Sequence, residues 1–296
     1  PIAIITRQLG TSILGVVMAH SADSKKLDKQ STRQQFLRRF EKKPAPSEPG
    51  GAFSAQLMHG RALKKLIPFP KRALDLGSGP GAFTIFLGNQ GCEAHGIDID
   101  LDLIKIARQR AREVNVNPYF VVANAEKLPY RDESFDLCVA NSLLEHVNDF
   151  EAVLDEVARV LKVNGLLALC TTNRWHPFQK EVKLTSSIYF PFYPWLPSRF
   201  KDLFIKYCMQ KRPDLVNYTD LPAIHWFSYG QLKSLLTDKG FRVYEYLHML
   251  SQSDMRGLKK LLLPLFQGSR ILNLIYHFYC STVTLYAIKT RKIRSS

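Results

Sequence analysis

Residues 73–81 read Ala-Leu-Asp-Leu-Gly-Ser-Gly-Pro-Gly. A short apolar run meets a glycine-rich turn, and a helical pattern follows. Glycines at such a turn let the backbone approach a ligand closely and take positive φ. The opening helix adds free N–H groups and the positive end of its dipole. A dinucleotide fingerprint has the spacing G-x-G-x-x-G, but here the sixth position is Ala82. The spacing is instead G-x-G-x-G, with an acid, Asp75, two residues before the first glycine. No cluster of His, Cys and carboxylates has metal-ligand spacing, so no metal is expected. The five cysteines, at 92, 138, 170, 208 and 280, are scattered and lack C-x-x-C spacing. That pattern speaks against a disulfide framework and for a reducing compartment.

The elements around this turn alternate. Strands are expected near 72–76, 93–97, 118–122, 136–140 and 166–172, and helices near 81–89, 101–114 and 149–162. Ile104, Ala107 and Ala111 share one helical face, as do Val153, Val157, Val160 and Leu161. Alternation on this scale implies βαβ units and a parallel sheet. Residues 173–225 interrupt it with aromatics and prolines, among them Trp175, Phe178, Trp195 and Phe200. The pattern resumes with a helix near 229–239, Gly240 at its C-terminal end, a strand near 241–248 and a last strand at 282–288.

In this setting Asp75-Leu76-Gly77-Ser78-Gly79-Pro80-Gly81 resembles motif I of class I S-adenosylmethionine (SAM)-dependent methyltransferases. Further motifs follow in the family's order. Gly96-Ile97-Asp98-Ile99-Asp100 is similar to the end of the second strand, where the family's acid holds both ribose hydroxyls. That role falls on Asp98, since a carboxylate accepts two hydrogen bonds, while Asp100 is expected to cap the next helix. Ala123-Asn124-Ala125-Glu126 resembles the adenine-binding turn, with Asn124 where most relatives carry Asp. Ser134-Phe135-Asp136-Leu137 and Leu143-Leu144-Glu145-His146-Val147 resemble the fourth strand and the helix start after it. Asn164-Gly165 stands where relatives often have Pro-Gly-Gly. The resemblance covers about residues 72–172 and is closest to the type 11 group, which includes quinone-biosynthesis methyltransferases.

The resemblance implies a Rossmann-like α/β fold, its sheet mostly parallel with an antiparallel last strand, plus the aromatic insertion. It implies SAM as cofactor, held by Asp75, Gly77, Ser78, Gly79, Gly81, Asp98, Ile99, Asn124, Ala125 and Asn141. Methylation of a hydroxyl needs a group that takes the proton. His146 is the first candidate, because the loop after the fourth strand borders the methyl-donor site in this fold. The alternative for His146 is a packed, structural histidine. His176, His225 and Glu181 are weaker candidates. The insertion reads as a lid over an apolar acceptor or as a small satellite core.

Charge is unevenly spread along the chain. Residues 1–72 carry 14 Lys/Arg against 4 Asp/Glu, residues 73–198 carry 11 against 16, and residues 199–296 carry 16 against 6. Basic flanks around an acidic middle suggest an anionic surface, or plain solvation. Leu258, Leu261, Leu262 and Leu265, then Ile271, Leu274, Ile275 and Phe278, have i, i+3, i+4, i+7 spacing. With Arg256, Lys259, Lys260 and Arg270 beside them, they read as two amphipathic helices divided by Pro264 and Gly268. Such helices lie on anionic lipid, pack on the domain or form a dimer contact.

The expected organisation is a basic extension and linker over 1–51, a SAM-binding core over 52–172, and a lid insertion over 173–228. Residues 229–296 complete the sheet and contain the helical insertion 256–280. Residues 1–22 leave a targeting remnant open, and no spanning helix is expected. The expected function is O-methylation of a small-molecule or lipid-like acceptor by a cytoplasmic protein, peripheral at a membrane. The alternatives are an RNA methyltransferase and a non-catalytic SAM-binding protein, and nucleic acid is the less expected partner. No RNA-binding module is evident.

Overall fold

Apolar residues at alternate positions face opposite sides of a strand, and here both sides are covered. In the computed structural model, β1 (Arg72–Leu76), β2 (Glu93–Asp98), β3 (Tyr119–Val122), β4 (Phe135–Asn141) and β5 (Leu161–Thr172) pair in parallel. The last strand, β7 (Thr282–Lys289), inserts antiparallel between β5 and β6 (Phe241–Glu245). The seven-stranded order is β3-β2-β1-β4-β5-β7-β6, as expected for a Rossmann-like methyltransferase sheet with antiparallel C-terminal pairing. The structure describes residues 65–176, 225–250, 258–280 and 282–291, with Leu37, Trp195 and Phe200. The expected extension over 1–51 apart from Leu37, most of the expected insertion 173–228, Glu181 and Arg256 lie outside the described residues.

Helices α1 (Ala82–Asn89), α2 (Leu101–Glu113) and α3 (Phe150–Val160) provide the crossovers. Leu74, Leu76, Cys138, Leu167 and Leu169 pack with Val153, Leu154 and Val157 of α3 and Leu232 and Leu236 of α4 (Tyr229–Asp238). Their neighbours Ala73, Leu137, Val139, Leu166 and Ala168 face the other way, onto Phe83 and Leu87 of α1. Burial on both faces explains why these strands are near-continuous apolar runs. Asp100 caps α2 by accepting from the N–H groups of Asp102 and Leu103, and Asp149 caps α3 in the same way. Gly240 follows α4 at φ 82°, the conformation its place after a helix requires.

The boundaries depart from expectation in three places. The helix expected to reach 162 stops at Val160, and β5 begins at Leu161 rather than 166. Asn164 takes φ 65°, and the pairing with β4 shifts between Leu161 and Leu166, so the expected turn is an irregularity inside a strand. The strand expected to 248 ends at Glu245, where its carboxylate accepts hydrogen bonds from Asn273 and His277, and the short helix α5 (Tyr246–Met249) follows. Pro264 lies inside α6 (Leu258–Gly268) and does not divide the two amphipathic helices. The break falls at Gly268, and Ser269 caps α7 (Arg270–Tyr279). The N–H that proline lacks is tolerated in a helix fastened from outside, where Gln267 donates to the carbonyls of Leu247 and Leu250.

Candidate functional site

From β1 the chain runs outward through β2 and β3, then crosses back to β4 on the other side of β1. Such a switch point leaves a crevice beyond the strands' carboxyl ends. Gly77, Gly79 and Gly81 all have positive φ, at 67°, 52° and 78°. The glycine spacing therefore has a direct backbone cause. At Gly81 a Cβ would also lie 2.6 Å from Phe120 Cζ and 2.8 Å from Ala107 Cβ, so α1 starts hard against α2 and β3.

The crevice is lined by Gly77, Ile97, Asp98, Ile99, Ala123, Asn124, Ala125, Glu126, Ser142, Leu143, His146, Val147 and Asn148. Of the residues expected to bind cofactor, Gly77, Asp98, Ile99, Asn124 and Ala125 meet here, together with His146. Asp75, Ser78, Gly79, Gly81 and Asn141 stand behind or beside the lining. Asp98, only 6% exposed, accepts from Gly79 N and Asp100 N at 2.9 Å each and so ties the turn to the end of β2. Burial raises its pKa. A carboxylate offers about four acceptor sites, so hydroxyls of a ligand can still bond to it.

Asp75 is buried below the turn and accepts from the Thr84 hydroxyl at 2.7 Å. Burial, opposed by that hydrogen bond and helped by the Asp98 charge, pushes its pKa up to about 7. The Ser78 N–H donates to Ile97 O, while its buried hydroxyl has no hydrogen-bond partner among the described residues. Asn141 ends β4 and is exposed. Asn124 Oδ1 accepts from Glu126 N at 2.9 Å, so this side chain builds its own turn.

Ile97, Ala123, Glu126, Ser142, Leu143, Val147 and Asn148 also line the crevice but are not among the expected site residues. Glu126 Oε1 accepts from Asn148 N and Asp149 N, which joins the 124–126 turn to the start of α3. That link spans more than 20 residues and has no local spacing to betray it. The same turn is braced from below. Arg159 binds Glu156 and Asp132 and donates to the carbonyls of Tyr130 and Leu128, and Glu156 accepts from Leu128 N.

His146 sits on the loop between β4 and α3, beside the crevice. Its Nδ1 is buried and has no hydrogen-bond partner among the described residues. Burial pushes the imidazole pKa down to about 4, so the ring is neutral at physiological pH. Of the weaker candidates, His225 is spent on a carbonyl, with Nε2 3.0 Å from Val147 O. His176 follows the end of β5, where its N–H donates to Asn173 O, and is not part of the crevice lining.

The lining suits a nucleoside. Ile99, Ala123, Leu143 and Val147 offer apolar walls, Asp98 offers acceptors for vicinal hydroxyls, and Asn124 adds a side-chain amide. Residues 74–169, which contain all of it, match the family described as "Methyltransferase domain". By this match the stretch is similar to a methyltransferase domain. The domain's sequence relatives include a ubiquinone biosynthesis O-methyltransferase of Xylella fastidiosa, 34% identical over 114 residues, which are 38% of this chain and 46% of the relative. A demethylmenaquinone methyltransferase of Tropheryma whipplei is 27% identical over 179 residues, 58% of this chain and 66% of the relative. The chain thus spans about half to two thirds of these curated relatives. In fold, the chain is similar to phospholethanolamine N-methyltransferase 2 of Haemonchus contortus, with TM-score 0.54 and 16% identity over 88% of this chain and 58% of that one. The [4+2]-cyclase SpnF is comparable, with TM-score 0.50 and 18% identity over 83% of this chain and 85% of that one. One fold thus carries different chemistries, and the reaction has to be argued from the site.

Proposed function

We propose that the chain methylates a hydroxyl of a small, lipid-like acceptor of the quinone-precursor type, at a membrane surface. The observation that carries this is the neutral, part-buried His146 on the lining of the crevice. Bound SAM supplies an electrophilic methyl group on a sulfonium. Asp98 would accept the ribose hydroxyls, and Ile99, Asn124 and Ala125 would hold the adenine. Asp75, Ser78, Gly79, Gly81 and Asn141 shape the turn and strand end behind them. His146, uncharged above about pH 4, would take the acceptor's hydroxyl proton as the new O–C bond forms. The named activities of the two quinone-pathway relatives support the acceptor class.

The membrane part of the reading rests on α6 and α7. Leu261, Ile271 and Leu274 are 71%, 73% and 73% exposed, with Leu265 and Ile275 beside them. Exposed apolar residues at helical spacing, near an exposed Arg270, suit a helix pair lying in an anionic interface. No described helix is long and apolar enough to cross a membrane. The test is transfer of labelled methyl from SAM into separated lipid, RNA and small-molecule fractions of an extract, followed by purified demethylated quinones. Label in the quinone-containing lipid fraction is the expected result. Label in RNA alone, or in no fraction, refutes the reading.

A further inference from the structure

The loop that carries His146 is gripped by a residue nearly 80 positions away. Its neighbours on either side, Glu145 and Val147, both use their carbonyls on His225. The His225 N–H donates to Glu145 O at 3.3 Å, and the ring nitrogen Nε2 donates to Val147 O at 3.0 Å. A carbonyl can only accept, so the second bond fixes the proton on Nε2. His225 is itself held. Its carbonyl accepts from the Thr172 hydroxyl at 3.1 Å, and Phe150 meets its ring edge-on at 5.0 Å.

This strand-end segment is also where the chain returns after residues 177–224. Phe227 N donates to Thr172 O, Arg174 N donates to Phe227 O, and Asn173 bridges to Phe227. The His146 loop has three other supports, one of them the Glu126 carboxylate, which accepts from Asn148 N and Asp149 N. The Thr171 hydroxyl donates to the buried Glu145 carboxylate at 2.7 Å, and Ser142 N donates to Cys170 O at 2.8 Å. The Thr171 and Ser142 bonds lie before His146 in the chain, and the Glu126 bonds hold N–H groups after it rather than a carbonyl. Among the described contacts His225 alone also fixes the carbonyl just after it.

We infer that His225 is a positioning residue: by holding both carbonyls that flank His146, it sets where that imidazole stands against the crevice. The inference rests on the proposed role of His146 for its catalytic consequence, but its structural part stands alone. With the loop gripped, the His146 ring stays partly withdrawn from water. With the grip released, the ring gains solvent, and its suppressed basicity relaxes toward the ordinary value. Asp98 and Glu126 line the same crevice, and their negative charge would push in the same direction.

The experiment uses the full chain with ¹³C-labelled histidine. The His146 signal is assigned by its loss in His146→Gln and followed by NMR through a pH titration. His225→Phe keeps the ring volume against Phe150 and Phe227 and the backbone N–H on Glu145 O but removes the ring donor to Val147 O, and His225→Gln restores a side-chain N–H donor. In His225→Phe the His146 midpoint is expected to rise by about one unit. Turnover with SAM and a micellar polyprenylated phenol is expected to fall about 10²-fold through kcat, with S-adenosylhomocysteine affinity kept. His225→Gln should recover both. Should His225→Phe not fold, His225→Ala takes its place. A wild-type midpoint in the donor-free variant overturns the inference, and so does a Gln variant that behaves like Phe. If the wild type transfers no methyl group, the proposed function is what fails, and the midpoint alone decides on His225.

Discussion

Three carboxylates and one imidazole show how position sets the task of a side chain. Asp98 and Asp100 lie two residues apart, yet one faces the crevice and the other caps α2. Replacing Asp98 by Ala removes a charged acceptor, and each hydrogen bond to a charged group is worth about 1.5–3 kcal/mol. SAM affinity measured by calorimetry should fall at least about 10-fold in Asp98→Ala, with the fold intact. Unchanged affinity would remove Asp98 from the site. Asp75 has the opposite problem. Its pKa is raised to about 7 in the folded protein from an ordinary value of 3.8. The folded state therefore binds the proton more tightly, and stability declines as pH rises from about 4 to about 7. Asp75→Asn should abolish that decline and melt higher than wild type at pH 8 but not at pH 4. Parallel melting curves across that range would show the charge to be solvated. For His146 the depressed pKa means that the base is not lost on acidification from pH 8 to pH 6. His146→Ala should lower turnover by about 10²–10⁴-fold with SAM affinity kept. A wild-type rate would return His146 to a structural role.

The elements explain why the site is rigid. The 124–134 segment is anchored by Ala125, Leu128 and Tyr130 against the core, and its polar atoms are held by the Arg159–Glu156 pair and the carbonyls around it. Arg159→Met should cost about 1–3 kcal/mol in urea unfolding, because the part-buried Glu156 carboxylate and the carbonyls of Leu128 and Tyr130 lose their partner. It should also weaken SAM binding, because Asn124 and Ala125 sit on that segment. Lost stability with untouched SAM affinity would mean that the turn holds itself. This brace was illegible in the sequence, since it joins residues about 30 apart through polar atoms that follow no period. The strand–turn–helix unit at 72–89 was fully legible, because its glycines obey a backbone rule and its strand an apolar one. Asp100 was legible as a cap for the same local reason. The end of β6 was not. Glu245 leaves the ladder for Asn273 and His277, partners that only the tertiary fold supplies. Pro264 misled because a proline is read locally as a break, whereas Gln267 ties α6 from outside.

At the scale of the whole molecule, the sheet has its crevice at the β1/β4 switch and a second feature farther along, beside β5 and β7. There Asn173, at the end of β5, donates to the carbonyls of His277 and Cys280 and so fastens the end of α7 to the sheet. Trp195 touches both Trp175 and Phe278, and Phe278 continues the stripe of Ile271, Leu274 and Ile275. The apolar face thus leads toward the strand ends. In co-sedimentation, the wild type should bind anionic vesicles at low salt, and Leu261→Asp with Leu274→Asp should abolish binding. Wild-type indifference to those vesicles would leave an acceptor in free solution as the better reading. The paired bonds between 172–174 and 227 have a consequence for how such a chain can diversify. They bring the two ends of the intervening stretch side by side, so the sheet does not depend on its length. Each doubling of a loop costs only about 0.6 kcal/mol in closure entropy. A graft of a relative's segment between Trp175 and His225 should therefore leave the melting temperature and cofactor affinity with the host, and a changed acceptor preference would assign acceptor choice to the grafted stretch.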